Sequence, residues 1–155
     1  MDAQLQLVLV FLINTAVVAI TVVIHYEFLY HLTRWIPKIH IRHRYRIVVG
    51  VIGTLVAHAV EIWVFAAAFY FMHHAEGWGE LIGHGNGTSF SGTLFDCVYY
   101  SFAVYSTLGF GDITPQGDLR YLTGIEALTG LVLITWSASF LYLEMQSNWE
   151  LKEED

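Results

Sequence analysis

Apolar residues run along this chain in long, nearly unbroken blocks. The first, "LQLVLVFLINTAVVAITVVIHYEF", covers 5–28; the second, "IVVGVIGTLVAHAVEIWVFAAAFYFM", covers 47–72; the last, "LRYLTGIEALTGLVLITWSASFLYLEMQ", covers 119–146. At ~1.5 Å of rise per residue, each is long enough to cross a hydrocarbon core of ~30 Å, so three spanning helices are predicted. A fourth block, "TLFDCVYYSFAVYS" (93–106), is equally oily, but its ~21 Å of helix stops short of crossing. Directly after it come two glycines, an aromatic and a carboxylate in "TLGFGD", a run suited to neither a spanning helix nor a core strand. Irregular backbone at membrane depth is tolerated only where protein buries it or where it lines a water-filled path. The pattern therefore predicts a re-entrant helix and loop between the second and third spans.

Composition sharpens this. Of 155 residues, 55% are hydrophobic and 14% charged, and the mean hydropathy is +0.52, which excludes an ordinary soluble domain. The formal charge of −7 argues against nucleic acid as a partner. A lone Cys97 rules out an intramolecular disulfide framework. The first block lacks the positive leader and short apolar run of a secretory signal, and reads as a retained span. Five of the seven Lys and Arg residues, Arg34, Lys38, Arg42, Arg44 and Arg46, lie between the first two spans, which makes that linker cytoplasmic by the positive-inside rule. The N-terminus and the segment 73–92 are then external, the loop enters from outside, and the tail is cytoplasmic. The tripeptide Asn86-Gly87-Thr88 on the external segment matches a glycosylation acceptor by pattern alone.

The loop has the chemistry of a cation filter. A potassium ion shedding its water needs a cage of oxygens, and backbone carbonyls supply one when successive residues point them the same way. Gly109 and Gly111 can take the positive φ this requires. Thr107 adds a hydroxyl, Leu108 and Phe110 are expected to pack behind the carbonyls, and Asp112 stands at the outer mouth. Thr93 with Asp96 three residues on reads as a capping-box variant at the start of the short helix, whose C-terminal end would aim partial negative charge at the membrane centre.

"STLGFGD" resembles the potassium-channel signature T-x-G-[YF]-G-D. The resemblance spans roughly 47–146, including both flanking spans. It implies an all-α membrane protein with three transmembrane helices plus a re-entrant pore helix and filter loop, assembled as a homotetramer, because one loop supplies a quarter of a ring. On it, Thr107, Leu108, Gly109, Phe110 and Gly111 form the K+ filter and Asp112 its mouth. Two departures stand out: Phe110 replaces a Tyr that would brace the filter through its hydroxyl, and Ala103 stands where some bacterial relatives carry a Glu, leaving Asp112 without that partner. Tyr99 and Tyr100 resemble the aromatic cuff around such filters. The implied division is 1–46, an extra N-terminal helix and basic linker; 47–146, the pore domain; and 147–155, a short tail, too little for a cytoplasmic ligand-binding domain. The implied protein is a passive pore of the bacterial plasma membrane, with no enzyme activity and no cofactor or metal beyond the transported K+.

Other residues carry open alternatives. Gly130, midway along the last span, is either a gating hinge or a close-packing site. Val132, Thr135, Ser139 and Leu143 share a helix face, where Thr135 and Ser139 either line the inner cavity or bond back to their own helix. His58, Glu61 and Glu126 are ionisable groups inside spans, a functional signal by default. His58 and Glu61 can share a face, and Glu126 either braces the pore helix through Ser101 or Tyr99 or gates in response to protons. His73, His74, Glu76, Glu80 and His84 could gather an external divalent cation, although their spacing matches no compact metal motif. Arg42, Arg44 and Arg46 alternate by two, unlike a voltage sensor, and suit anionic lipid headgroups. The competing functions are a poorly selective cation channel, a non-conducting accessory subunit and a membrane metalloenzyme using His58, Glu61 and the external histidines.

Overall fold

A computed structural model describes residues 3–40, 42–84 and 90–150. The Asn86-Gly87-Thr88 tripeptide and tail residues 151–155 lie outside them. The elements follow in the order α1 (Ala3–Trp35), a 3-10 turn (Ile36–Lys38), α2 (His43–His74), β1 (Leu81–Gly83), α3 (Leu94–Tyr105), β2 (Ile113–Pro115) and α4 (Leu119–Glu150). Helices α1, α2 and α4 are each long and apolar enough to span a membrane. With 33, 32 and 32 residues they reach ~48–50 Å and run well past the apolar blocks. Arg34 closes the last turn of α1 and Arg46 sits in the opening turns of α2, so much of the expected basic linker is helix. Pro37, with no amide hydrogen to give, lies in the 3-10 turn that separates the two.

Helix α3 is wedged among the spans. Along α2, Ile62, Phe65, Ala66, Phe69 and Met72 recur at helical spacing and bury one stripe against Cys97, Val98, Tyr100, Val104 and Tyr105 of α3, with Leu119 and Leu122 of α4 closing the other side. Outward positions such as Leu7, Phe11, Val23, Leu55 and Phe71 stay exposed, as helices solvated by lipid require. Helix α1 lies on its own subunit's α2 and α4: Val17 and Val18 pack on the central cluster, and Gln6 Nε2 donates to Gly77 O at 2.6 Å and to Asp118 Oδ2 at 2.8 Å. The start of α1, the end of α2 and the start of α4 therefore share one end of the molecule.

That end also carries a small antiparallel ribbon of which the apolar pattern gives no sign. β1 and β2 pair with Leu81 opposite Pro115, Ile82 opposite Thr114 and Gly83 opposite Ile113. His84 N donates to Asp112 O at 2.6 Å and Gln116 N to Glu80 O at 2.8 Å, extending the ribbon at both ends. Three-residue strands leave almost no period-two signal, which is why the sequence does not reveal them.

Candidate functional site

The short helix α3 has 12 residues, ~18 Å, and begins with the capping box expected of Thr93 and Asp96. Thr93 Oγ1 accepts from Asp96 N at 3.2 Å and Asp96 Oδ2 from Thr93 N at 3.1 Å, while Ser91 N donates to the same oxygen at 3.1 Å. Partial burial pushes the Asp96 carboxyl upward, but the hydrogen bonds from Thr93 and Ser91 outweigh it and hold the group below its ordinary range.

At the other end of α3 the chain turns back on the helix and becomes the loop. Thr107 N donates to Val104 O at 2.9 Å and Gly109 N to Ala103 O at 3.1 Å. Thr107, Gly109 and Gly111 have φ of 59°, 53° and 79°, and Thr107 is the one non-glycine residue with positive φ among those described. Leu108 and Phe110, between them, keep negative φ. Backbone that alternates in hand residue by residue can turn its N–H groups to one side and its carbonyls to the other. An oxygen cage for a bare cation requires carbonyls brought to a common side in this way. A β-branched residue held left-handed costs about 1–3 kcal/mol and persists only where its surroundings enforce it. A Cβ added at Gly109 or Gly111 would meet nothing within 4 Å, so conformation and not space demands glycine there.

The folded chain adds two placements at this loop. Leu108 and Phe110 are 64% and 62% exposed at the edge of the chain, with the Phe110 ring against Tyr99 of α3. Asp112 lacks the Glu partner that Ala103 replaces and has a different one on the same helix, Tyr99, four residues before Ala103. Tyr99 OH donates to Asp112 Oδ2 at 2.7 Å, and the Tyr99 ring stacks with Phe110, with centroids 6.3 Å apart and planes at 7°. Tyr100 faces the other way, its hydroxyl 2.9 Å from Thr123 Oγ1 and its ring edge-on to Phe69, so the aromatic cuff reduces to Tyr99.

Behind the loop, Ser101 Oγ donates to Ile62 O at 2.9 Å and also contacts Glu126 Oε1, which joins α2, α3 and α4. Glu126 is fully buried and meets Ser101, not Tyr99. At Gly130 an added Cβ would collide with the Tyr105 carbonyl, so this glycine lets α4 approach the end of α3. Thr135 Oγ1 donates to Leu131 O at 2.8 Å and Ser139 Oγ to Thr135 O at 3.1 Å. Both side chains remain exposed, with oxygen lone pairs free to face a hydrated ion. Arg46 Nη2 donates to Pro37 O at 3.3 Å and Arg42 is exposed, while the Arg44 side chain lies outside the described residues.

His73, His74 and His84, the histidines expected outside, do not converge on a single point among the described residues. His73 Nδ1 accepts from Leu81 N at 3.2 Å, His74 Nδ1 lies 2.8 Å from Tyr70 O and His84 Nε2 lies 2.7 Å from Thr114 Oγ1, so each is engaged locally. The residues that do converge are His58 and Glu61 with His25 of α1, a group of the kind that could hold a metal ion. His25 is missing from the candidates read from the sequence, yet a histidine inside a 24-residue apolar run is the same intramembrane signal that marks His58.

Three spans and a short capped helix that ends in a loop of alternating hand define an integral membrane protein of the pore-loop type. A family model described as ion channel matches residues 57–146, more than half of the 155, and the chain belongs to that family. No curated protein and no solved structure matches it.

Proposed function

We propose that this chain is the pore-forming subunit of a homotetrameric, potassium-selective channel that conducts K+ passively. The observation that carries the reading is the alternation of backbone hand through Thr107, Gly109 and Gly111 at the end of a helix too short to span. Thr107, Leu108, Gly109, Phe110 and Gly111 supply the filter oxygens, and Asp112, tied to Tyr99, forms its mouth. The exposed side chains of Leu108 and Phe110 suit burial against neighbouring copies around an axis. Gly130 and Glu126 set the seat of the pore helix, and Thr135 and Ser139 face the inner cavity. The basic turn between α1 and α2 is cytoplasmic and the filter mouth external, with Arg42, Arg44 and Arg46 near anionic headgroups in a bacterial plasma membrane.

The test is potassium against sodium flux through the purified protein in liposomes, with Gly109→Ala as control. Potassium flux well above sodium flux, lost in the variant, is expected. Equal fluxes would leave a poorly selective cation channel, and no flux from the wild type would leave an accessory subunit.

A further inference from the structure

At mid-depth, where the four helices meet, two imidazoles and a carboxylate converge. His25 of α1 brings Nδ1 to 2.8 Å from Glu61 Oε1, and His58, one turn before Glu61 on α2, brings Nδ1 to 3.0 Å from Oε2. The side chains of His25 and Glu61 are fully buried, and that of His58 is 14% exposed. Tyr105, the last residue of α3, donates its hydroxyl to Glu61 Oε2 and lies 2.9 Å from His58 Nδ1. On α4, Ser137 Oγ lies 3.0 Å from His58 Nε2 and 3.5 Å from His25 Nε2.

We propose that His25, His58 and Glu61 form a binding site for a divalent transition metal of the zinc class inside each subunit. The candidate ligand atoms all lie within 4.8 Å of one another. Ligands at ~2.0–2.2 Å from a tetrahedral zinc stand ~3.3–3.6 Å apart, so the His25 Nδ1–Oε1 and His58 Nδ1–Oε2 pairs open by about half an ångström, while the remaining separations, up to 4.8 Å, close toward the same distance. Two imidazoles and one carboxylate favour zinc and its neighbours over calcium, magnesium or potassium, which prefer all-oxygen cages. With both Nδ1 atoms on the metal, each ring carries its hydrogen on Nε2, and such hydrogens need an acceptor. Ser137 Oγ, with two lone pairs, stands beside both Nε2 atoms. The Tyr105 hydroxyl, hydrogen-bonded to Glu61, holds the carboxylate beside the two imidazoles.

Glu61 supplies one negative charge against the two of the metal, directly at the two imidazoles. Because Tyr105 precedes Thr107 by two residues, an occupied site would tie α1 and α2 to the base of the loop.

The test uses the full chain, stripped with chelator, loaded with zinc and passed through gel filtration before elemental analysis. About one zinc per chain is expected, with a tetrahedral absorption spectrum when cobalt(II) replaces it. His25→Ala should weaken zinc binding at least ~10-fold, whereas His73→Ala, near the external ribbon, should leave it unchanged. If His25→Ala does not fold, Ser137→Ala keeps every ligand and removes the acceptor, and should also weaken binding ~10-fold. Wild-type protein that retains no zinc, or zinc held as tightly by the His25 and Ser137 variants as by the wild type, overturns the proposal.

Discussion

Thr107 adopts a left-handed backbone that β-branched residues avoid, and the two glycines that repeat its hand at 109 and 111 have open space around them. The loop therefore needs these residues for the direction of their backbone. Beside the loop, Tyr99→Phe keeps the ring stacked on Phe110 and deletes the donor to Asp112. We expect current that decays several-fold faster during sustained opening, with thermal stability little changed, because water readily replaces an exposed hydrogen bond. Gly130→Ala acts on stability instead: a methyl pressed on the Tyr105 carbonyl should cost about 1–3 kcal/mol, read as a lower melting temperature of the purified protein. Altered gating at unchanged stability would favour the hinge.

At the scale of elements, α3 depends on its cap. Thr93→Ala removes the acceptor for the Asp96 amide and should cost about 1 kcal/mol, measured by thermal denaturation. The Asp96 carboxyl is held below its ordinary range, so its contribution is complete above that range and is lost as pH falls through the lowered value. Wild-type stability should fall on acidification more than that of Asp96→Asn; equal slopes would contradict this. The three spans and the cap were legible because length, apolar run and a Thr-x-x-Asp pattern are local signals. The β1–β2 ribbon, the Tyr99–Asp112 bond and the approach of His25 to Glu61 were not, because each depends on how distant segments dock. Among the loop residues, the need for glycine could be read from the sequence, whereas the exposed placement of Leu108 and Phe110 emerges only once the chain is folded.

For the whole molecule, α1 is part of the subunit's own packing: Gln6 ties it to the segments that flank α2 and α4, and His25 ties it to α2 at mid-depth. The family match begins at residue 57 and leaves α1 outside, so nothing in that match foretells this docking. A preference of the loop for potassium is tested most directly by the reversal potential of the purified protein in a planar bilayer, with potassium on one side and sodium on the other. Each tenfold of preference moves the reversal by about 59 mV. A displacement beyond about 59 mV toward the potassium equilibrium potential, lost in Gly109→Ala, is predicted; a reversal near zero in the wild type would contradict it.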